Sequence, residues 1–184
     1  MSVSADEVLD FWFNETDRQN WFERSDDFDQ IIRDRFSEAV ETARGGGFAE
    51  WHETARGCLA VIILIDQLSR NIYRDSPLAW SADDVSLTRT KQAIARAFDT
   101  ELGIDERKFL YMPLMHSEVL ADQEKCVELF RALVTDEDDV SLDFAIRHRD
   151  IIARFGRFPH RNEILGREST PEELKFLKEP DSSF

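Results

Sequence analysis

Apolar residues that recur every three or four positions are the feature that most constrains how this chain folds. The clearest stripe runs from Phe28 to Ala43, and further stripes lie within residues 87–98, 126–134 and 142–155. A period of 3.6 residues places one side of a helix against a core. No segment combines the alternation of a half-buried strand with a hairpin turn. The pattern therefore predicts an all-α fold of about seven to nine helices, as an array or a bundle.

Local signals predict where several of these helices begin and end. Ser4–Glu7 and Thr170–Glu173 carry the pattern of a capping box, and Ser81 is a weaker start signal. The glycines Gly45–Gly47 are expected to end the first long helix. Pro113 suits the start of a helix. The acidic stretch of residues 136–139 is expected to form a solvated loop.

The apolar run Cys58–Ile65 is expected to be a buried helix, because it continues into Asp66 without a turn signal. Its eight residues fall short of the roughly 20 that cross a membrane. No basic residue precedes Arg18, so no secretory signal is expected. Cys58 and Cys126 form no CxxC motif, which favours reduced core cysteines in a cytoplasmic protein.

Length and charge indicate one acidic globular domain. The chain has 184 residues and a net charge of −15, and 42% of its residues are hydrophobic. Domains usually run to about 100–200 residues, so residues 1–184 are expected to form a single all-helical domain. The negative charge repels nucleic acid and anionic membrane surfaces, and neither is expected as a partner.

The segment of residues 145–167 is rich in arginine, with six arginines, two acidic residues and no lysine. Guanidinium groups bind carboxylate and phosphate in a bidentate manner, so one interpretation is a surface for an anionic small molecule or peptide. The alternative is that these arginines pair with the protein's own acidic side chains. Candidate binding residues in the segment are Arg149, Arg154, Arg157, His160, Arg161 and Asn162.

Polar residues also interrupt otherwise apolar helical faces. His148 lies four residues from both Phe144 and Ile152, so it is expected to be at least partly buried, neutral and hydrogen-bonded. Asp66 follows the apolar run, and an ionised carboxylate there needs a partner. Arg70 has the favourable i,i+4 spacing. Two interpretations of Asp66 and Arg70 stay open: a structural ion pair, or part of the wall of a polar groove.

Three further residues complete the candidate set: Asn71, which follows Arg70, and His116 with Glu118. Adjacent helical side chains do not face each other, which argues against a triad of His116, Ser117 and Glu118. Glu118 could instead meet His148 or an arginine. No His/Cys spacing typical of a metal site and no glycine-rich phosphate loop occurs, so no metal and no cofactor is expected.

Several long motifs resemble the bacterial "domain of unknown function 924" family. They are Gly57–Arg74, Tyr111–Glu118 and His148–Asn162, together with the opening Val8–Phe13 and the closing Leu165–Thr170. The resemblance extends from about residue 6 to residue 178. It implies an all-α, tetratricopeptide-like fold and no established activity. Within the first motif, Leu68–Ser69 replaces an expected aromatic residue or Phe-Pro pair.

Three functional hypotheses remain open. The first is a binding module whose polar groove, lined by Arg, His and Asp, takes an anionic small molecule or peptide. The second is a small-molecule enzyme with a His/Glu acid–base pair and arginines that hold an anion. The third is a buried polar network that only fixes the packing of the helices. The sequence does not indicate the oligomeric state.

Overall fold

The computed structural model describes residues 3–134, 140–180 and 182–183, so the acidic stretch 136–139 lies outside the described residues. Helices and turns make up this part of the chain, and no strand occurs in it. The all-α prediction is confirmed, with a number of helices within the predicted range, and the tetratricopeptide-like arrangement stays a prediction. The α-helices are α1 Ala5–Asp10, α2 Asp26–Arg44, α3 Ala55–Ile62, α4 Ser69–Ile72, α5 Asp83–Ala95, α6 Ile104–Met115, α7 Leu120–Leu133, α8 Ser141–Phe155 and α9 Pro171–Phe176.

The described chain divides into two compact units. Unit 1 comprises Met1–Arg74 and Leu78–Pro113, and unit 2 comprises Asp75–Pro77 and Leu114–Phe184. Each unit has its own buried residues and its own set of candidate site residues. The single domain expected from the length of the chain stays a prediction.

In unit 1, α2 follows its sequence signals closely. The Ser25 hydroxyl accepts the backbone N–H of Phe28, and Gly45 follows the last helical residue, Arg44. The apolar stripe is buried through Phe28, Ile32 and other members of the series. The predicted glycine end of this helix is therefore confirmed.

The apolar run Cys58–Ile65 lies within one continuous helical stretch. The stretch comprises α3, a π-helical segment Ile63–Leu68 and α4. Every residue from Gly57 to Ser69 is buried. The predicted buried helix is confirmed. Asp66 lies in the π-helical segment of this stretch. Cys58 and Cys126 are both free and buried, each within its own unit.

The helix start predicted at Pro113 is wrong, and the cap predicted at Ser81 is not formed, although α5 begins two residues after Ser81. Helix α6 already begins at Ile104, and Pro113 lies inside it, two residues before its end. A proline lacks the N–H that continues a helix, and α6 ends soon after it. The N-cap of α5 is Ala82, which makes no side-chain cap, whereas the Ser81 hydroxyl donates to the Leu78 carbonyl instead.

In unit 2, α7 and α8 pack against each other. Helix α8 ends at Phe155 and is followed by Gly156, whose φ of 68° suits a residue without a Cβ. A small hydrophobic core in this unit consists of Ile151, Ile152, Phe158 and Phe176. Helix α9 begins with the capping box predicted at Thr170–Glu173, and α1 begins with the one predicted at Ser4–Glu7. No helix of the described chain is long and apolar enough to span a membrane.

Candidate functional site

In unit 1, the fully buried carboxylate of Asp66 is held by neighbours on its own helical stretch. Its Oδ1 accepts a hydrogen bond from Arg70 Nη2 at 3.2 Å, and its Oδ2 accepts one from Gln67 Nε2 at 2.7 Å. The same Arg70 nitrogen reaches Asp83 at 3.1 Å, and Arg70 Nη1 donates to the Ala79 carbonyl. Arg70 therefore bridges two carboxylates, as the i,i+4 spacing predicted for the first.

Asn71 belongs to a second buried group of unit 1. Its amide donates to Asp29 Oδ1 at 2.7 Å, and Arg74 Nε donates to Asp29 Oδ2 at 2.6 Å. Burial raises the pKa of Asp29, but the hydrogen bonds from Arg74 and Asn71 outweigh it and leave the pKa below its ordinary value. These contacts account for the polar side chain of Asn71 within the protein itself.

In unit 2, at least five arginines of segment 145–167 form ion pairs with carboxylates of the protein. The pairing predicted as the alternative to anion binding is thus present for these five. The pairs and their distances are Arg147–Asp143 2.7 Å, Arg149–Asp150 2.6 Å, Arg154–Glu172 3.0 Å, Arg157–Glu173 2.6 Å and Arg167–Glu118 2.7 Å.

Glu118 meets Arg167, which was not among the candidate site residues, and not His148. Both oxygens of Glu118 accept from Arg167, at 2.7 and 3.0 Å, and Oε1 also accepts the Phe158 N–H at 2.8 Å. Burial raises the pKa of Glu118, but the hydrogen bonds from Arg167 and the Phe158 N–H outweigh burial. The pKa of Glu118 is therefore below its ordinary value. Glu118 is therefore an ionised, structurally engaged carboxylate and is poorly suited to transfer a proton at neutral pH.

His148 is buried, as its position on an apolar face predicted. Its Nδ1 lies 2.8 Å from the Phe144 carbonyl oxygen, and its ring lies 5.6 Å from that of Phe158 and 6.3 Å from that of His116. Burial, and next the neighbouring His116, lower the pKa of His148 to about 3. The imidazole is therefore neutral near pH 7 and cannot act as a general acid there.

Arg161 and His116 meet through the backbone. Arg161 Nη1 donates to the His116 carbonyl at 3.2 Å, while its guanidinium lies 4.5 Å from the centre of the Phe158 ring. The Gln123 amide donates to the flanking carbonyls of Met115 and Ser117. These bonds satisfy the carbonyls of the turn that follows α6 and fix the position of His116.

Unit 2 also contains a surface cavity of about 500 Å³. Its lining includes polar residues, called here the polar wall, and apolar residues, called here the apolar wall. The polar wall comprises His160, Glu163, Arg167 and Ser169, and the apolar wall comprises Pro159, Leu174 and Leu177. Behind the polar wall, the fully buried Asn162 donates from Nδ2 to Ser169 Oγ at 3.0 Å. Asn162 therefore positions the Ser169 hydroxyl at the edge of the cavity.

Of the twelve candidate residues, His160 lines this cavity and Asn162 supports it. Arg149 and Arg154 pair with exposed acids, and Arg157 pairs with the buried Glu173. Among the residues that the structure describes, no group of three His, Cys, Asp or Glu is placed to hold a metal ion.

Sequence reasoning missed most of the cavity wall. Glu163, Ser169, Leu174 and Leu177 were not candidates, and Arg167 was counted only among the arginines. Leu174 and Leu177 come from α9 and the turn after it, and the other lining residues come from the segment between α8 and α9. A residue-type signal was present only in the motif that includes His160 and Asn162.

Comparison with known proteins places the chain in a family. No curated protein matches it. The chain is similar to a solved structure described as a protein of unknown function, ATU0120, from Agrobacterium tumefaciens, with 37% identity and a TM-score of 0.89. That match covers 95% of this chain and 96% of the other. A family model described as bacterial protein of unknown function (DUF924) matches residues 8–181. The chain therefore belongs to this bacterial family, DUF924.

Proposed function

We propose that the protein is a binding module and that the cavity of unit 2 takes a small anionic molecule that carries an apolar group. The observation that supports this is the mixed lining of the cavity. His160 and Ser169 offer polar groups, and Leu174 and Leu177 offer apolar surface. Sites for small molecules combine a mostly apolar lining with a few convergent polar groups in this way.

The size of the cavity favours a small molecule. About 500 Å³ falls within the range of roughly 300–1,000 Å³ that holds compact ligands. The anion would meet the polar wall at Ser169. The Oγ of Ser169 accepts a hydrogen bond from Asn162 and keeps its own proton available for donation. The apolar group would cover Leu174, whose side chain is otherwise exposed.

Two groups of candidate residues have no place in this proposal. Asp66, Arg70 and Asn71 are engaged by partners within unit 1. The enzyme hypothesis assigned the acid and base roles to Glu118 with His148 or His116. Glu118 is bound by Arg167, and the lowered pKa of His148 makes it a weak proton acceptor near pH 7. These two contacts favour binding over proton transfer by Glu118 and His148.

Thermal unfolding with amphipathic anions tests the proposal. The probes are 4-methylpentanoate and 3-methylbutyl phosphate, added at increasing concentration to the full chain. A probe present at 100 times its dissociation constant adds about 2.7 kcal/mol to the stability of the folded state. For a chain of this size that is a shift in Tm of roughly 5–10 °C.

A matched pair of variants locates the binding. Leu174→Glu places a negative charge on the apolar wall, and it folds because Leu174 is 52% exposed. Leu120→Glu, on a leucine of α7 that is 40% exposed and does not line the cavity, is the control. We expect the probe-induced shift to disappear in Leu174→Glu and to persist in Leu120→Glu. No shift with any probe, or an equal shift in both variants, would contradict the proposed function.

A further inference from the structure

The polar wall of the cavity contains an acid as well as hydrogen-bond donors. Glu163 is an exposed carboxylate, and within the described chain it makes no ion pair. This sets it apart from Glu118, Glu172 and Glu173, which each bind an arginine. The negative charge of Glu163 is therefore available to a molecule in the cavity.

The positive charge of the same wall is largely neutralised. Both terminal nitrogens of Arg167 bind Glu118, so the guanidinium and that carboxylate form a closed pair. The lining of the cavity then includes an uncompensated carboxylate, Glu163, as well as the hydroxyl of Ser169. A ligand with only a negative charge would be attracted to the donors and repelled by Glu163.

We infer that the ligand is a zwitterion with an apolar side chain, of the class of a free aliphatic amino acid. This inference rests on the proposed function and adds a cationic group to the ligand. The ammonium group pairs with Glu163, the carboxylate accepts from the Ser169 hydroxyl, and the side chain lies on Leu174 and Leu177. Each of the three ligand parts then meets a cavity residue of complementary chemistry.

Three probes that differ in one group each test the inference on the full chain by isothermal titration calorimetry. Leucine carries both charges, 4-methylpentanoate lacks the ammonium group, and 3-methylbutylamine lacks the carboxylate. We expect leucine to bind about fivefold more tightly than 4-methylpentanoate, which is the upper end for a partly exposed ion pair. The amine alone is expected to bind more weakly than leucine.

Two glutamine variants assign the effect to one carboxylate. Glu163→Gln should bring leucine to the affinity of 4-methylpentanoate and leave the latter equal or stronger. Glu168→Gln, on an exposed acid that does not line the cavity, is the control and should keep the fivefold preference. Equal binding of leucine and 4-methylpentanoate to the wild type, or a preference that survives in Glu163→Gln, would overturn the zwitterion and leave the proposed function standing. Absence of binding by every carboxylate probe would instead overturn the proposed function.

Discussion

Arg157 binds both carboxylate oxygens of Glu173. Its Nε lies 2.6 Å from Oε1, and its Nη2 lies 2.8 Å from Oε2. Oε2 also accepts the Thr170 N–H, so the ion pair completes the capping box at the start of α9. The Glu173 side chain is only 3% exposed. An arginine that the sequence offers as an anion binder is thus the partner of a buried acid of the protein itself.

Replacing Arg157 by alanine should therefore destabilise the protein. The change leaves the Glu173 carboxylate buried without its main partner, which costs more than the loss of an exposed ion pair. Arg154→Ala is the matched control, because Arg154 and its partner Glu172 are both well exposed. Chemical denaturation should show a loss below about 1 kcal/mol for Arg154→Ala and a clearly larger one for Arg157→Ala. Equal losses would show that burial of Glu173 is not what makes the pair matter.

The contrast among three ion pairs shows what the sequence could predict. Asp66 and Arg70 are four residues apart on one helical stretch, so spacing alone predicted their contact. Arg157 and Glu173 are separated by a turn and a helix start, and Glu118 and Arg167 are 49 residues apart. Such pairs depend on how the segments of unit 2 fold back on each other, which no periodicity encodes.

The helix ends follow the same division. The N-cap of α2 and its glycine end involve contacts within four residues, and both were predictable. The position of Pro113 within α6 was not predictable, because a proline near the end of a helix and a proline at its start follow similar local patterns. The cavity also escaped prediction, since Leu174, which contributes to its apolar wall, is exposed and resembles any surface leucine.

Stability should fall as the pH is lowered below 6.5, because of His148. Burial and the adjacent His116 lower its pKa from 6.5 to about 3. The unfolded chain takes up a proton near pH 6.5 that the folded chain refuses until about pH 3. This contribution to stability is therefore complete above pH 6.5 and is lost as the pH falls, at up to about 1.4 kcal/mol per pH unit.

Urea denaturation between pH 7.5 and 5 measures this dependence. The His148→Gln variant should show a flatter dependence of unfolding free energy on pH than the wild type, whatever its stability at pH 7.5. Part of the slope should remain, since burial and Arg89 also lower the pKa of His52. Identical slopes in the two proteins would show that His148 does not carry the refused proton.

Gly57 should not tolerate a side chain. A Cβ at this position would lie 2.1 Å from the Trp51 carbonyl oxygen and 2.8 Å from Thr54 Oγ1, at the start of α3. Both are parts of a tightly packed turn, so the Gly57→Ala variant should lose about 2 kcal/mol or more of stability. Gly103→Ala is the control, because a Cβ there meets only the flexible Glu106 carboxylate at 3.5 Å. A cost for Gly57→Ala no greater than for the control would contradict the close approach.

Removing Arg70 alone should cost more stability than removing Arg70 together with the Asp66 charge that it neutralises. The Arg70→Met variant keeps apolar bulk but leaves the fully buried Asp66 without its guanidinium partner, and we expect a loss of about 3 kcal/mol. Adding Asp66→Asn to this variant removes the carboxylate charge that Arg70 neutralised and puts an amide of similar shape in its place. The double variant should therefore be more stable than Arg70→Met alone in chemical denaturation. If Asp66→Asn instead adds its own loss to that of Arg70→Met, the two side chains are not energetically coupled, and the contact between them does not stabilise unit 1.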